Sequence, residues 1–335
     1  QGQLDALANI LVSFVCAMQV ESFRKVIGNP YATTMCTGNL RSATENLFHY
    51  RRTGERMFLT KFLSYSGIIA LGMTFVIAAG GIDLAVGSLL ALAGVLSILS
   101  MDLAPGSPAL QLALAFATAL GVGALGGAVN GVLVGAARIQ PFIVTLGTMS
   151  IYRSLALYFA DAGLVSTGNE LYRTATSATF CMISVPALVM VLLTVFFTMV
   201  MRSTRFGRHV CAVGSNERVA RYAAIPTGRI KFRTYLLAGL LAGLSAFLLG
   251  GRLSSISSSG AGLSYELDAI AAVIIGGTAM TGGRASVPGT LAGVLLLGIV
   301  SNVLDMWGIS VNLQGTVKGL VIIIAVLIQY KRKDS

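Results

Sequence analysis

The stretch Leu110-Gln-Leu-Ala-Leu-Ala-Phe-Ala-Thr-Ala-Leu-Gly-Val-Gly-Ala-Leu-Gly-Gly-Ala-Val-Asn-Gly-Val-Leu-Val-Gly-Ala136 carries no charged residue. Wound as an α-helix it reaches about 40 Å, more than the roughly 30 Å hydrocarbon core of a bilayer. Backbone groups in lipid must pair internally, so such a run is a helix and not an open strand. Its glycines, among them Gly121, Gly126 and Gly127, let a second helix backbone come close inside a membrane. The stretch predicts a membrane-crossing helix packed within a bundle.

The same pattern recurs on both sides of it. From Lys61 onward there are about nine apolar runs, over 62–79, 84–100, 110–136, 141–160, 183–201, 234–250, 266–280, 287–304 and 313–330. A further run at 4–20 brings the expectation to about nine to ten transmembrane helices. The run 266–280 is short and holds Gly276-Gly277 near its end, so it reads as a broken or re-entrant helix. Composition agrees: 55% of the 335 residues are hydrophobic and 11% charged, with a mean hydropathy of +0.80. A soluble domain averages about 25% charged residues. The fold class expected is therefore all-α, a polytopic membrane helical bundle.

The net charge of +11 is a matter of topology and not of nucleic-acid binding. Lys and Arg gather in short loops between apolar runs, as cytoplasmic loops require, and no basic stripe is interleaved with aromatics. Between 202 and 233 stand Arg202, Arg205, Arg208, Arg218, Arg221, Arg229, Lys231 and Arg233 against one acid, Glu217, which makes this loop cytoplasmic. The basic Lys331-Arg332-Lys333 places the C-terminus on the same side, with Arg284 and Arg138; 161–182 and 101–109 fall outside. The alternation fails at 21–61, which falls outside although it carries seven basic residues, Arg24 to Lys61. The four cysteines share no metal-ligand spacing and there are two histidines, so neither a metal site nor a disulfide framework is expected, and no cofactor.

Within the loop 202–233, Ser215-Asn216 can cap a short helix running to about Ala224, with Glu217 favourable in its first turn. Pro226 and Gly228 end it. A short capped helix between two spans suits docking to a partner, the alternative being a basic loop that hugs the membrane. Asp83, in Gly80-Gly-Ile-Asp-Leu-Ala-Val-Gly-Ser88, reads equally as an N-cap and as a polar residue of a translocation path. Ser88, Asn130, Gln140 and Glu266 are further path candidates. Helix–helix hydrogen bonding competes for Asn130, and helix-dipole complementation accounts for Asp268. No phosphate loop of the Gly-x-x-x-x-Gly-Lys-Ser/Thr kind is present and no nucleophile–base pair, so catalysis is expected on another chain.

Four stretches carry a family resemblance. They are Gly72-Met-Thr-Phe-Val-Ile-Ala-Ala-Gly-Gly-Ile-Asp-Leu-Ala-Val-Gly-Ser88, Gln140-Pro-Phe-Ile-Val-Thr-Leu-Gly147, Gly214-Ser-Asn-Glu-Arg-Val-Ala-Arg-Tyr-Ala-Ala224 and Tyr265-Glu-Leu-Asp-Ala-Ile-Ala-Ala-Val-Ile-Ile-Gly-Gly-Thr278. With their order, they make residues 57–335 resemble the ribose/xylose/arabinose-type ABC permease family. The resemblance implies a permease domain of the ABC importer type in the bacterial inner membrane, delivering a monosaccharide. It implies a separate ATPase subunit, an external sugar-binding protein, and a second permease copy or a close relative. It also implies an ATPase-coupling role for the loop, carried at Gly214, Asn216, Glu217, Ala220, Ala223 and Pro226. Residues 1–56 do not fit that family and instead resemble a small membrane family of unknown function, the YoaK-like group. They read as an atypical segment fused to the permease, with one membrane helix at 4–20. The rival readings are an ion-coupled secondary transporter, which needs more ionisable residues inside the spans, and a non-transporting scaffold or fusion product.

Overall fold

The computed structural model describes residues 65–180 and 183–307, with isolated positions between 313 and 323. The segment 1–56, its helix at 4–20 and most of the run 313–330 lie outside the described residues. Eleven α-helices are described: α1 (Tyr65–Ala78), α2 (Val86–Leu99), α3 (Pro108–Gly135), α4 (Pro141–Phe159), α5 (Glu170–Ser177), α6 (Val185–Ser203), α7 (Arg205–Ser215), α8 (Glu217–Tyr222), α9 (Thr227–Leu253), α10 (Tyr265–Ile275) and α11 (Val287–Met306). Five segments, Val86–Leu103, α3, α4, α6 and α9, are long and apolar enough to cross a membrane; α1 and the first part of α11 are shorter and apolar.

Eight of the nine apolar runs thus fall on described helices. The helical class holds, with a small addition: β1 (Leu164–Ser166) pairs antiparallel with β4 (Ser255–Ser257), and β2 (Thr179–Phe180) with β3 (Ile183–Ser184). Two sequence boundaries differ. The loop between 202 and 216 is a helix, α7, whose N-cap Thr204 accepts from the Gly207 N–H at 3.2 Å. And α9 starts at Thr227, directly after Pro226, seven residues before the apolar run begins at Thr234. Polar residues such as Arg229 and Lys231 extend that helix without adding to its apolar signal.

The spine of the bundle is the seam between α3 and α9. Gly123, Gly127, Gly131 and Gly135 recur every fourth residue, so they share one face of α3. A methyl at Gly127 would stand 2.5 Å from the Tyr235 carbonyl oxygen, and one at Gly131 2.8 Å from that of Phe232. Gly239 and Gly243 answer from α9: a methyl on either would collide with the carbonyls of Gly123 and Ala119. In lipid no hydrophobic effect draws helices together, so this close backbone approach supplies the packing. The central helix α2 is buried almost throughout, with α3, α4 and α9 around it.

One end of the bundle is closed by polar tethers. Asn169 caps α5 by accepting from Tyr172 N at 3.0 Å, and its amide donates to Pro108 O at 3.0 Å and Gln111 Oε1 at 2.8 Å. Tyr172 OH donates to Phe247 O at 2.6 Å, fastening α5 to α9. The β1–β4 pair lies at this same end. At the other end lie α7, α8 and the turn 279–284. The short α10 spans about 16 Å, half a membrane, and the chain then turns at Gly276 and Gly277, as the sequence suggests for a broken helix.

Candidate functional site: the coupling loop and the break in the first spans

The loop between α6 and α9 is two helices at an angle. Amphipathic α7 turns Val210 and Val213 inward, and Phe206 stacks on Phe75 of α1 with ring centroids 6.0 Å apart. Asn216 ends α7 and caps α8, its side chain accepting from Val219 N at 3.1 Å. Glu217 opens α8 and pairs with Arg221 at 2.8 Å and with Lys231 on α9. Partial burial pushes the Glu217 carboxyl up, but the hydrogen bonds and charges of Lys231 and Arg221 outweigh that and hold it below the usual carboxylate range.

Of the residues singled out in this loop, Ala220 is buried and anchors α8 from beneath, while Asn216, Ala223 and Pro226 are exposed. Two residues that sequence reasoning passed over stand furthest out: Val219 is 60% exposed and Tyr222 91% exposed. With Ala223 they occupy positions i, i+3 and i+4, one face of α8. The signal was present in the sequence as Val219 between two arginines and Tyr222 directly after the second, but a six-residue helix is too short to show a period.

Gly214 is where this loop meets the membrane helices. A methyl there would collide with the Ala78 carbonyl at the end of α1 and stand 2.6 Å from Gly283 N. Gly283 N in turn donates to Ala78 O at 3.0 Å. Three segments therefore touch backbone to backbone: the end of α7, the end of α1 and the turn before α11. Only Gly fits at Gly214, and Gly282 and Gly283 turn the chain at φ of 81° and 82°.

Immediately after Ala78 the α1 helix breaks. Gly80 adopts φ 79°, and a non-helical segment from Gly81 to Asp83 follows. Its freed carbonyl at Ile82 accepts from Tyr235 OH at 3.1 Å and, at 3.5 Å, from Thr145 Oγ1. Asp83 Oδ1 accepts from Ala85 N at 2.9 Å and, at the outer limit, from Asn130 Nδ2 at 3.5 Å. Asp83 is 1% exposed and Asn130 is wholly buried; Asn130 Oδ1 meets no partner among the described residues. Asp83 and Asn130, both predicted as path candidates, are thus brought together inside the bundle. Ser88 is buried one turn into α2. Gln140 is exposed just ahead of α4, and among the described residues it makes no hydrogen bond to Asp83 or Asn130. Glu266 is half-buried in the first turn of α10 and lies against Gly87.

The sequence of this chain is similar to that of known transport permeases. Residues 57–326 match the family model of the permease component of the branched-chain amino acid transport system. Residues 1–101 also match a family described as a protein of unknown function. The ribose import permease protein RbsC of Bacillus subtilis (strain 168) is 42% identical over 277 residues, covering 82% of this chain and 84% of the relative. RbsC of Escherichia coli (strain K12) is 39% identical, covering 81% and 84%, and the L-arabinose transport system permease protein AraH of the same strain 34%, covering 81% and 81%. No solved structure matches. With four-fifths of its length matched in family and relatives alike, the chain belongs to the family of transport-system permease components to which residues 57–326 conform.

Proposed function

We propose that this chain is the membrane subunit of an ATP-driven importer that passes a ribose-like monosaccharide across the bacterial inner membrane. It performs no catalysis; a separate ATPase subunit hydrolyses ATP, and a sugar-binding protein presents the cargo. The substrate class rests on the relatives, whose names specify ribose and arabinose. The family description speaks of branched-chain amino acids, which makes a hydrophobic amino acid the second reading to be tested.

One observation carries the mechanism: the backbone junction at Gly214. The exposed Val219–Tyr222 face is suited to a groove on the ATPase, and α8 is tied to α9 through Glu217 and Lys231. A displacement of the loop by the ATPase reaches Ala78 and Gly283 with no flexible side chain in between. Ala78 ends the helix whose break holds Asp83, so motion is delivered to the point where α1 and α2 part. Close-packed backbones have discrete arrangements and not continuous ones, which suits alternation between inward-open and outward-open states. In this reading Asp83 is the cap of the break, while Gly214, Asn216, Glu217, Ala220, Ala223 and Pro226 shape and hold the coupling loop.

The test is uptake of labelled D-ribose and L-leucine by cells that make the chain with its ATPase and binding protein. Ribose uptake that falls at least tenfold on Gly214→Val, while the ATPase still co-purifies with the variant, supports the reading. Uptake of leucine and not of ribose sinks the sugar assignment. Ribose uptake unchanged by Gly214→Val sinks the junction.

A further inference from the structure

A second polar cluster lies in the half of the bundle away from the coupling loop, and three segments build it. Arg153 stands on α4 six residues before its end, about 9 Å along the axis. Its Nη1 donates to the carbonyls of Ser258 at 2.8 Å and Ala261 at 2.9 Å, and to that of Ser259 at 3.4 Å. This fastens the 258–262 turn to α4. A guanidinium is a rigid fork of five N–H donors, and among the described residues those on Nε and Nη2 meet no acceptor. From the far side comes Glu266, whose carboxylate reaches the first turn of α2 so closely that a methyl on Gly87 would collide with it. Among the described residues no other residue donates a hydrogen bond to that carboxylate. The charges of Arg153 and Glu266 act on one another.

Both charges stand near helix ends, where a charged group reaches water or a polar partner. The neighbouring surface is mixed: Gly147, Ser150 and Ser154 on α4 and Ser259 and Ser264 after it are exposed, beside exposed Leu146, Ile151, Leu155 and Leu263.

We infer that Arg153 and Glu266 together form a station for the hydroxyl groups of the transported sugar. The inference rests on the monosaccharide reading above and names the contacts that reading lacks. Each hydroxyl of a vicinal diol both donates and accepts. The spare guanidinium donors serve the hydroxyl oxygens, and the carboxylate accepts hydrogen bonds from the hydroxyl groups. A free amino acid offers the same pair a carboxylate and an ammonium, so L-leucine is the counter-probe that decides between the two cargoes. A half-exposed station binds weakly, which a translocation path needs, since cargo must leave as readily as it enters.

The test uses the full chain in lipid nanodiscs and saturation-transfer NMR with D-ribose as probe and L-leucine as counter-probe. A ribose signal that drops at least fivefold in Glu266→Gln and in Arg153→Lys, at unchanged melting temperature for Glu266→Gln, supports the station. Glu266→Gln keeps the falsification clean, because it keeps the shape of the side chain and among the described residues no other residue donates a hydrogen bond to that carboxylate. A ribose signal of wild-type size in both variants overturns the station, and continued ribose uptake by cells then leaves the monosaccharide reading standing. A signal from leucine and none from ribose overturns both.

Discussion

The α3–α9 seam and the α7–α8 loop are built on opposite principles, although both depend on glycine. The seam is a long contact, with glycines at every fourth position of α3 meeting carbonyls of α9. No single rotation breaks it, and many small contacts share the load. The loop is held at a few points: the stacked Phe206, the buried Ala220, the Glu217 ion pairs and the backbone contact at Gly214. Among the described residues nothing packs over its outer face, where Tyr222 is 91% exposed. A continuous seam suits a frame; a loop fixed at discrete points suits the lever proposed above. Regions that move are drawn from the parts of a protein with few buried contacts.

This contrast breaks most readily at the seam. Gly239→Leu drives a branched side chain into Gly123 and Gly127, where backbone and not a flexible side chain stands in the way. Overpacking usually costs about 1–3 kcal/mol, and here more, because two full-length helices must separate. The expected outcome is loss of the monodisperse peak in detergent size-exclusion; a folded, wild-type-like peak would mean that the seam is not the frame.

On the loop the expected effect is on partnership and not on folding. Tyr222→Ala removes an exposed aromatic of the kind that dominates interface energetics, and truncation of such an anchor costs about 2 kcal/mol. ATPase affinity is expected to fall about thirtyfold with the melting temperature of the chain unchanged, as read by titration of labelled ATPase onto nanodiscs. Unchanged affinity would move the docking surface away from α8.

The smallest effect sharpens the lever. Glu217→Gln removes the charge that ties α8 to Lys231 and Arg221. The carboxyl is held below its ordinary value, so its contribution is complete above the unfolded pKa of about 4.3 and is lost as the pH falls through the lower folded value. Hydrogen exchange of the α8 amides is expected to be flat from pH 7 to about 5, after correction for intrinsic rates, and to accelerate below about 4. The variant is expected to show the accelerated rate throughout and to lack that acid-dependent step. Since the Glu217 side chain is partly exposed, solvent screens the pairs and the difference is expected to stay modest.

Much of the fold was legible because its carriers are local. An apolar run long enough for a bilayer declares a helix, and the excess of Arg and Lys between 202 and 233 marks the loop. Asn216 followed by Glu217 announces α8, and Gly276-Gly277 the break after α10. The helix α7 was not legible, since its residues alternate glycine, basic and apolar types that a loop also uses.

The amino-acid sequence by itself determined the membrane class, the order of the spans, the basic loop between 202 and 233 and the family, because run length, charge placement and short motifs are all written in neighbouring residues. Only the tertiary structure decided which polar residues meet. Asp83 and Asn130 are 47 residues apart in the chain, and Arg153 and Ser258 are 105 apart. It also decided that Gly214 touches Ala78 and Gly283, and that Tyr222 faces outward while Ala220 faces in. The physical reason is that apolar helices are interchangeable as sequence patterns. Which faces of them meet is set by how closely backbones approach across the bundle, and no local pattern records that distance.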